Sequence, residues 1–384
     1  MTMRRQEEQT FDLMGGLPPT FPFDMNATEN PQLSIVEKYH IQTLKKIALL
    51  AICIFGIFIA FGLLSVSTYE SLNLWQAYEI IINHILGDDY PVRSNEWWAD
   101  KYIWSMAIPR GVGAIVAGAS LAVAGSLMQS LMNNPLADPY STGISSGACF
   151  GAVSAIIVGA SFATLSSEIG IVVNAFIGAM VPALAIIVIA KKVQMTPATL
   201  ILIGTALSYF FNSLVTYMMV TTDADSLQSA YMWQIGSLSN ITWDDLPIIV
   251  LITLIGIVFS MMMSRQLNIL ALGDKSAKTL GLDVEGFRTL CLTIMAIMTA
   301  SIVAFTGIIG FVGLVAPHVV RLIIGSDNKF VLPISMSVGA LLLIIADYFA
   351  VTLALPVGIV MSVIGSPIFF ILIVWQKKGY GAIY

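Results

Sequence analysis

Apolar residues run along this chain in long unbroken windows instead of alternating with polar ones. A helix needs about 20 mostly apolar residues to cross a hydrocarbon core. Ten windows approach that length: 47–66, 111–132, 144–162, 169–190, 200–220, 246–263, 290–305, a short and broken 308–324, 330–353 and 357–375. The strands of an outer-membrane barrel would alternate apolar and polar residues. The pattern therefore predicts an all-α, polytopic helical membrane protein of about ten transmembrane helices, with its membrane domain at 47–376. The flanks are polar. Residues 1–46 include Pro18, Pro19, Pro22 and Pro31 and read as a cytoplasmic tail, disordered in part, not as a cleavable leader. Residues 377–384 read as a short cytoplasmic tail.

Composition narrows the class further. Of 384 residues, 57% are hydrophobic and only 11% charged, against about 25% charged in a soluble domain. Mean hydropathy is +0.85. These values exclude a water-soluble enzyme, and the net charge of −5 offers no basic surface to nucleic acid. Cys53, Cys149 and Cys291 each sit inside an apolar run without CxxC spacing, so neither a disulfide framework nor a zinc site is indicated. His40, His84 and His318 are too scattered to form a metal cluster by spacing.

An even number of spans puts both termini on one side, and the basic residues say which. With a cytoplasmic N-terminus, all of the 18 Lys and Arg fall on inner segments except Arg93, Lys101 and Arg110. This is the positive-inside asymmetry, and one miscounted span early in the chain would scramble it. Two outer segments stand out. Residues 67–104 combine Glu70, Glu79, Asp88, Asp89, Glu96 and Asp100 with Trp75, Trp97, Trp98 and Trp104, and read as a loop with an interfacial aromatic belt. Residues 221–245 hold Asp223, Asp225, Asp244 and Asp245 around a short helix predicted at 226–236.

Inside the membrane, Ala114, Gly118, Ala122 and Ser126 recur every four residues, a small-residue ridge that lets helix backbones approach closely. Pro182, Pro317 and the Gly307/Gly310/Gly313 cluster interrupt their spans, which is tolerated where backbone faces protein or a water-filled cavity. Buried charge is costly here. Asp347 lies deep in the ninth span, Arg110 at the outer entry of the second, and His318 and Arg321 at the inner end of the eighth. Asp347 and Arg110 both fall toward the outer half. An ion pair between them stands open beside separate satisfaction by backbone, water or a neighbouring helix.

Three stretches are more particular than generic membrane helix. The first runs from Ile108-Pro109-Arg110-Gly111 through Met128-Gln129 to Asn134-Pro135-Leu136-Ala137-Asp138-Pro139 and Gly143-Ile144-Ser145-Ser146-Gly147-Ala148. The second is Leu270-Ala271-Leu272-Gly273-Asp274, then Ala277 and Leu280-Gly281-Leu282. The third is Gly307-Ile308-Ile309-Gly310-Phe311-Val312-Gly313-Leu314-Val315-Ala316-Pro317-His318 and Arg321, continuing through Asp347 to Leu355-Pro356-Val357-Gly358 and Gly365-Ser366-Pro367. In that order, from about Trp104 to Trp375, the sequence resembles the FecCD-type permeases of bacterial ABC importers for iron–siderophore complexes, haem or cobalamin.

The resemblance implies ten spans in the cell inner membrane, cytoplasmic termini and a dimeric pore of two identical or paralogous permeases. Two ATPase subunits would sit below it, and a substrate-binding protein or lipoprotein above. It places ATPase coupling on Leu270, Ala271, Leu272, Gly273, Asp274, Lys275, Ala277, Lys278, Leu280 and Gly281. These residues suit a short helix, ended by Gly281, with both charge signs and one apolar side. The stretch 273–279 lacks the GxxxxGK[ST] phosphate loop, so no cofactor is expected on this chain, and ATP and Mg would be bound by the partner ATPase. The resemblance also puts an inner gate at the loop between the fourth and fifth spans, with Met195, Thr196, Pro197 and Ala198; Tyr209, Asn212 and Tyr217 of the fifth span are candidates for lining the pathway.

The sequence departs from the family pattern where an Arg-x-x-Arg pair would meet the binding protein. Ala107 takes the first position and Arg110 the second, so Lys101 or Arg93 is expected to share docking with Arg110. The run before Pro356 is short, Thr352-Leu353-Ala354-Leu355, which favours an iron complex slightly over cobalamin. Two other classes compete. Gly143-Ile144-Ser145-Ser146-Gly147 spells GxSxG, but a nucleophile elbow needs a strand–turn–helix, which an all-helical chain does not offer. Asp347 as a proton or sodium site would make an ion-coupled secondary transporter, which has no need of a docking helix.

Overall fold

A computed structural model describes residues 35–68, 72–88, 90–159, 167–190, 192–193 and 196–380. Most of the predicted N-terminal tail, the last four residues, Lys191 and Met195 lie outside the described residues. The chain divides into residues 1–43, of which 35–43 are helical, and a unit of residues 44–384. Fifteen α-helices are described, with no strand among the described residues. In hydrocarbon every backbone N–H and C=O must be paired within the segment, and the helix does this locally. In chain order they are α1 (Ile35–Val66), α2 (Leu74–Leu86), α3 (Asn95–Tyr102), α4 (Ile108–Met132), α5 (Ile144–Val158), α6 (Ser167–Ala190), α7 (Pro197–Thr221) and α8 (Ala224–Ile235). They continue as α9 (Leu246–Met262), α10 (Ser264–Leu270), α11 (Asp274–Thr279), α12 (Val284–Thr306), α13 (Val312–Ile324), α14 (Asn328–Thr352) and α15 (Val357–Tyr380).

Among the described residues, six helical segments are long and apolar enough to cross a membrane, and α9 with α10, bent by 55°, adds a seventh if the bent pair is counted as one span. Three shorter apolar helices, Ile144–Val158, Val312–Ile324 and Val357–Leu372, coincide with the third, eighth and tenth predicted windows. Each of the ten windows thus contains a helix. Their edges differ from expectation in instructive ways. Helix α1 starts at Ile35 and takes in the end of the expected tail; α15 likewise continues to Tyr380. Helix α12 starts at Val284, because Asp283 caps it by accepting from the Gly286 N–H at 3.2 Å.

The segment read as an outer loop, 67–104, is mostly helix. It contains α2 and α3, and a π-helical turn at Ile103–Ala107 joins α3 to α4 in one 38-residue stretch, Asn95–Met132. Periodicity misses this because Trp, Glu and Asp mixed with apolar residues mimic loop composition. The short helix expected at 226–236 is present as α8, started by the Asp223 carboxylate, which accepts from the Ser226 N–H at 2.9 Å.

Helix α4 is the mast of the fold, buried over nearly its whole length. Its small-residue ridge lies against α14, where a Cβ on Gly118 would collide with the Gly339 carbonyl oxygen. Two turns further on, a Cβ on Gly125 would collide with the Gly313 carbonyl oxygen. Pro317 has no N–H to donate to that same carbonyl, so α4 backbone packs where α13 has lost its internal hydrogen bond. Before α13 the chain is non-helical from Gly307 to Gly310, and Phe311 is left-handed at φ 68°.

Candidate functional site

At the predicted inner face, the coupling candidates form two short helices and two turns. Gly273 (φ 91°) breaks α10 from α11, and Gly281 (φ 85°) turns the chain toward α12. Asp274 opens α11 and accepts from both Nη1 and Nη2 of Arg288 at 2.8 Å each, a bidentate grip between α11 and α12. Lys278 and Glu285 form a second, exposed contact at 3.2 Å. Leu270 and Ala277 face into the protein. Leu272 and Leu280, 63% and 62% exposed, project outward with Ala271, Lys275, Lys278 and Gly281. The single helix expected here is therefore a hinged pair with a buried side on α12 and an open apolar side.

A polar network holds this pair to the bundle. Asn268 of α10 donates to Asp327 Oδ1 at 2.7 Å, and its side-chain oxygen accepts from the Asn328 N–H at 2.8 Å. Arg321 continues the chain of contacts: its Nη2 donates to Ser130 Oγ at 2.8 Å and Asn328 Oδ1 at 3.1 Å, and its Nε to Gln129 Oε1 at 3.3 Å. One guanidinium thus ties α13 to α4 and α14, and Asn328 passes the link on to Asn268 of α10. Arg321 is visible in the sequence as an isolated inner charge, but the roles of Asn268 and Asn328 are not, since amides carry no local signature.

The gate candidates lie next door. Thr196 caps α7 by accepting from the Thr199 N–H at 3.2 Å, and Pro197 occupies the first helical position, where no N–H is needed. Thr196 and Ala198 are exposed. Thr196 and Pro197 share a recess with Leu131, Met132, Leu200, Leu292 and Arg288, so the arginine that grips the coupling helix also touches the gate loop's surroundings.

Tyr209, Asn212 and Tyr217 are all exposed along α7. Helices α1 and α7 are equally little buried, yet differ in kind. The outward side chains of α1 from Ile52 to Leu63 include Ile54, Phe55 and Phe58, suited to lipid, whereas α7 adds Asn212, Ser213 and Thr216 at membrane depth. Polar groups there favour protein or a water-filled path over lipid. A separate cavity of about 750 Å³, bordered by Trp233, Ser237, Asn240, Phe305 and Thr306, opens where α8 meets the end of α12; none of its described lining residues is charged.

At the other face, Arg110 donates through Nε and Nη2 to the two Asp347 carboxylate oxygens, each at 2.7 Å. Asp347 is wholly buried and Arg110 18% exposed. Of the two readings left open for these charges, the ion pair is the one found, and it commits two of the donors that a docking role would use. The other docking candidate, Lys101, lies over the Trp97 ring with Nζ 4.0 Å from its centroid. Ser145 stands on helix α5, and neither ring nitrogen of buried His318 makes a hydrogen bond, so no serine–histidine pair forms. No group of three His, Cys, Asp or Glu assembles among the described residues.

The sequence matches the FecCD transport family over residues 47–375. The vitamin B12 import system permease protein BtuC of Vibrio cholerae is 36% identical over 71% of this chain and 83% of its own. The hemin transport system permease protein HmuU of Yersinia pestis is 36% identical over 72% of this chain and 84% of its own. A solved structure described as an inward-facing conformation of a metal-chelate type ABC transporter aligns with a TM-score of 0.68 at 28% identity, covering 78% of this chain and 97% of its own.

Proposed function

This chain belongs to the FecCD transport family, and we propose that its cargo is an iron–siderophore complex or a related metal chelate, haem or cobalamin. It is a multi-pass membrane protein and a permease subunit of an ABC importer. In our reading it lies in the cell inner membrane with both termini cytoplasmic. ATP and Mg are held by a partner ATPase, a binding protein delivers cargo from outside, and a second permease copy or paralogue completes the pore.

The observation that carries this reading is the hinged pair α10–α11, held by the bidentate Arg288–Asp274 contact and presenting Leu272 and Leu280 outward. A short helix with an open apolar side, braced on a long membrane helix, transmits a push from a docked partner as displacement of that helix. Arg288 lies beside Thr196 and Pro197, so the same displacement reaches the gate. Tyr209, Asn212 and Tyr217 then line the path, and Arg110 with Lys101 remains the docking candidate on the opposite face. An uncharged path suits a large chelate, which is passed by shape and mild polarity and not gripped.

Reconstitution of the full chain with its ATPase and binding protein in liposomes tests the reading. Uptake of a radiolabelled ferric chelate should require ATP, and competition among ferric hydroxamate, haem and cobalamin should identify the cargo. Uptake by the chain without the ATPase, driven by an imposed ion gradient, would overturn it.

A further inference from the structure

Helix α2 is inside out for a helix in water. Its outward side chains are Trp75, Ile82, Ile85 and Leu86, with Trp75 at 72% and Leu86 at 71% exposure. Trp75, Ile82 and Leu86 follow at intervals of seven and four, one stripe along the helix, which Glu79, the one exposed charge of α2, interrupts four residues after Trp75 and three before Ile82. The other polar side chains, Gln76, Asn83 and His84, are half-buried. Gln76 accepts from the Asn73 N–H in a capping box at 2.8 Å, Asn83 donates to the Tyr90 hydroxyl at 2.9 Å, and His84 Nδ1 meets Asp100 Oδ1 at 2.7 Å while its ring stacks on Trp104.

Helix α2 also folds back along a membrane span. The rings of Tyr78 and Phe58 stack with centroids 4.2 Å apart, the Tyr78 hydroxyl donates to the Phe58 carbonyl, and Gly62 lies against Leu74 and Tyr78. Phe58 stands eight residues before the end of α1 at Val66, about 12 Å of helix at 1.5 Å per residue. The stripe on α2 therefore continues the apolar surface that Phe55, Phe58 and Leu63 present on α1.

We propose that α2 is an interfacial lipid-binding helix, its Trp75–Ile82–Ile85–Leu86 stripe seated at the headgroup–acyl boundary beside the C-terminal end of α1. Continuity with the lipid-facing surface of α1 selects the bilayer as occupant, and tryptophan at that depth is the ordinary preference. Amphipathic interfacial helices commonly add basic residues that attract anionic lipid. Helix α2 has neither Lys nor Arg, so its seating depends on apolar burial and gains nothing from anionic lipid. The seated helix fixes the depth at which the chain enters α3 and the central stretch leading to α4. This inference requires only that α1 spans the membrane.

Cys53, Cys149 and Cys291 are all buried, so introduced cysteines at exposed sites can be labelled selectively. Nitroxides placed through Trp75→Cys, Ile82→Cys and Leu86→Cys in the full chain in phosphatidylcholine nanodiscs should collide with oxygen in preference to an aqueous nickel chelate. Exposed Asp88→Cys should show the reverse, and adding phosphatidylglycerol should not seat the stripe more deeply. Three outcomes would each overturn the proposal: stripe positions as open to nickel as Asp88→Cys, stripe positions closed to both reagents as in a contact with a second copy, or exclusion of nickel only after the binding protein is added.

Discussion

Arg288 grips Asp274 with two parallel hydrogen bonds of 2.8 Å across the turn that separates the coupling helix from α12. The guanidinium is largely covered while the carboxylate is half exposed. That asymmetry makes Arg288 the fixed member and α11 the element it positions. Because the carboxylate meets solvent, the pair itself adds only roughly 0.5–1 kcal/mol to stability. Its value lies in geometry.

Asp274→Asn should therefore leave insertion and melting nearly unchanged while lowering ATP-driven uptake severalfold. The charge-exchanged double variant Asp274→Arg with Arg288→Asp should recover part of the loss. Uptake and ATP hydrolysis measured together in proteoliposomes check this; wild-type uptake in Asp274→Asn would remove the coupling role.

The Arg110–Asp347 pair behaves differently because its carboxylate has no access to water. Removing one partner strands the other, at a cost of about 3–5 kcal/mol for a buried pair. Arg110 keeps some exposure, so Arg110→Met, which strands the fully buried Asp347, should cost more than Asp347→Asn. The double variant Arg110→Met with Asp347→Asn should be milder than Arg110→Met alone. Thermal melting in detergent reads all three, and simple additivity of the single effects would contradict the direct pairing.

Gly125→Ala should damage the fold, since its methyl would meet the Gly313 carbonyl oxygen, backbone that cannot swing away. Overpacking of this kind costs typically about 1–3 kcal/mol, occasionally more. Gly310→Ala is the control, because a Cβ there meets nothing within 4 Å. Expression and melting of the pair should separate them clearly; equal behaviour would mean that α4 and α13 are not in backbone contact.

Asp138, in the loop after α4, has its carboxyl pushed up from 3.8 to about 6 by burial, opposed by a hydrogen bond from the Tyr140 backbone. A folded-state value above the unfolded one means the charged form works against folding. Its contribution is most favourable below pH 3.8 and is lost as pH rises to about 6. Asp138→Asn, which copies the neutral form, should melt higher than wild type at about pH 8, with the gap closing toward about pH 4. A gap independent of pH would exclude titration of Asp138 as its source.

Much of this architecture is legible in the chain alone. Uninterrupted apolar runs mark the spans because a membrane helix satisfies its backbone locally, whatever its neighbours are. The short helix near 226–236 and the helix stop at Gly281 are local in the same sense, as is the small-residue ridge from Ala114 to Ser126. The three motif stretches, read together, carry the family.

What the tertiary structure alone decided are the pairings between distant positions. Arg110 and Asp347 stand 237 residues apart; their common depth left a pair open, and only the fold chose it over separate partners. Asn268 clasps Asn328 across 60 residues, and Gly125 meets Gly313 where Pro317 frees a carbonyl. Helix α2 hid within a stretch of loop-like composition, and its exposed side became visible only once Phe58 and Tyr78 were stacked. Local chain physics sets which segments are helical. Which faces meet is set by packing summed over the whole bundle, and no short window of sequence contains that sum.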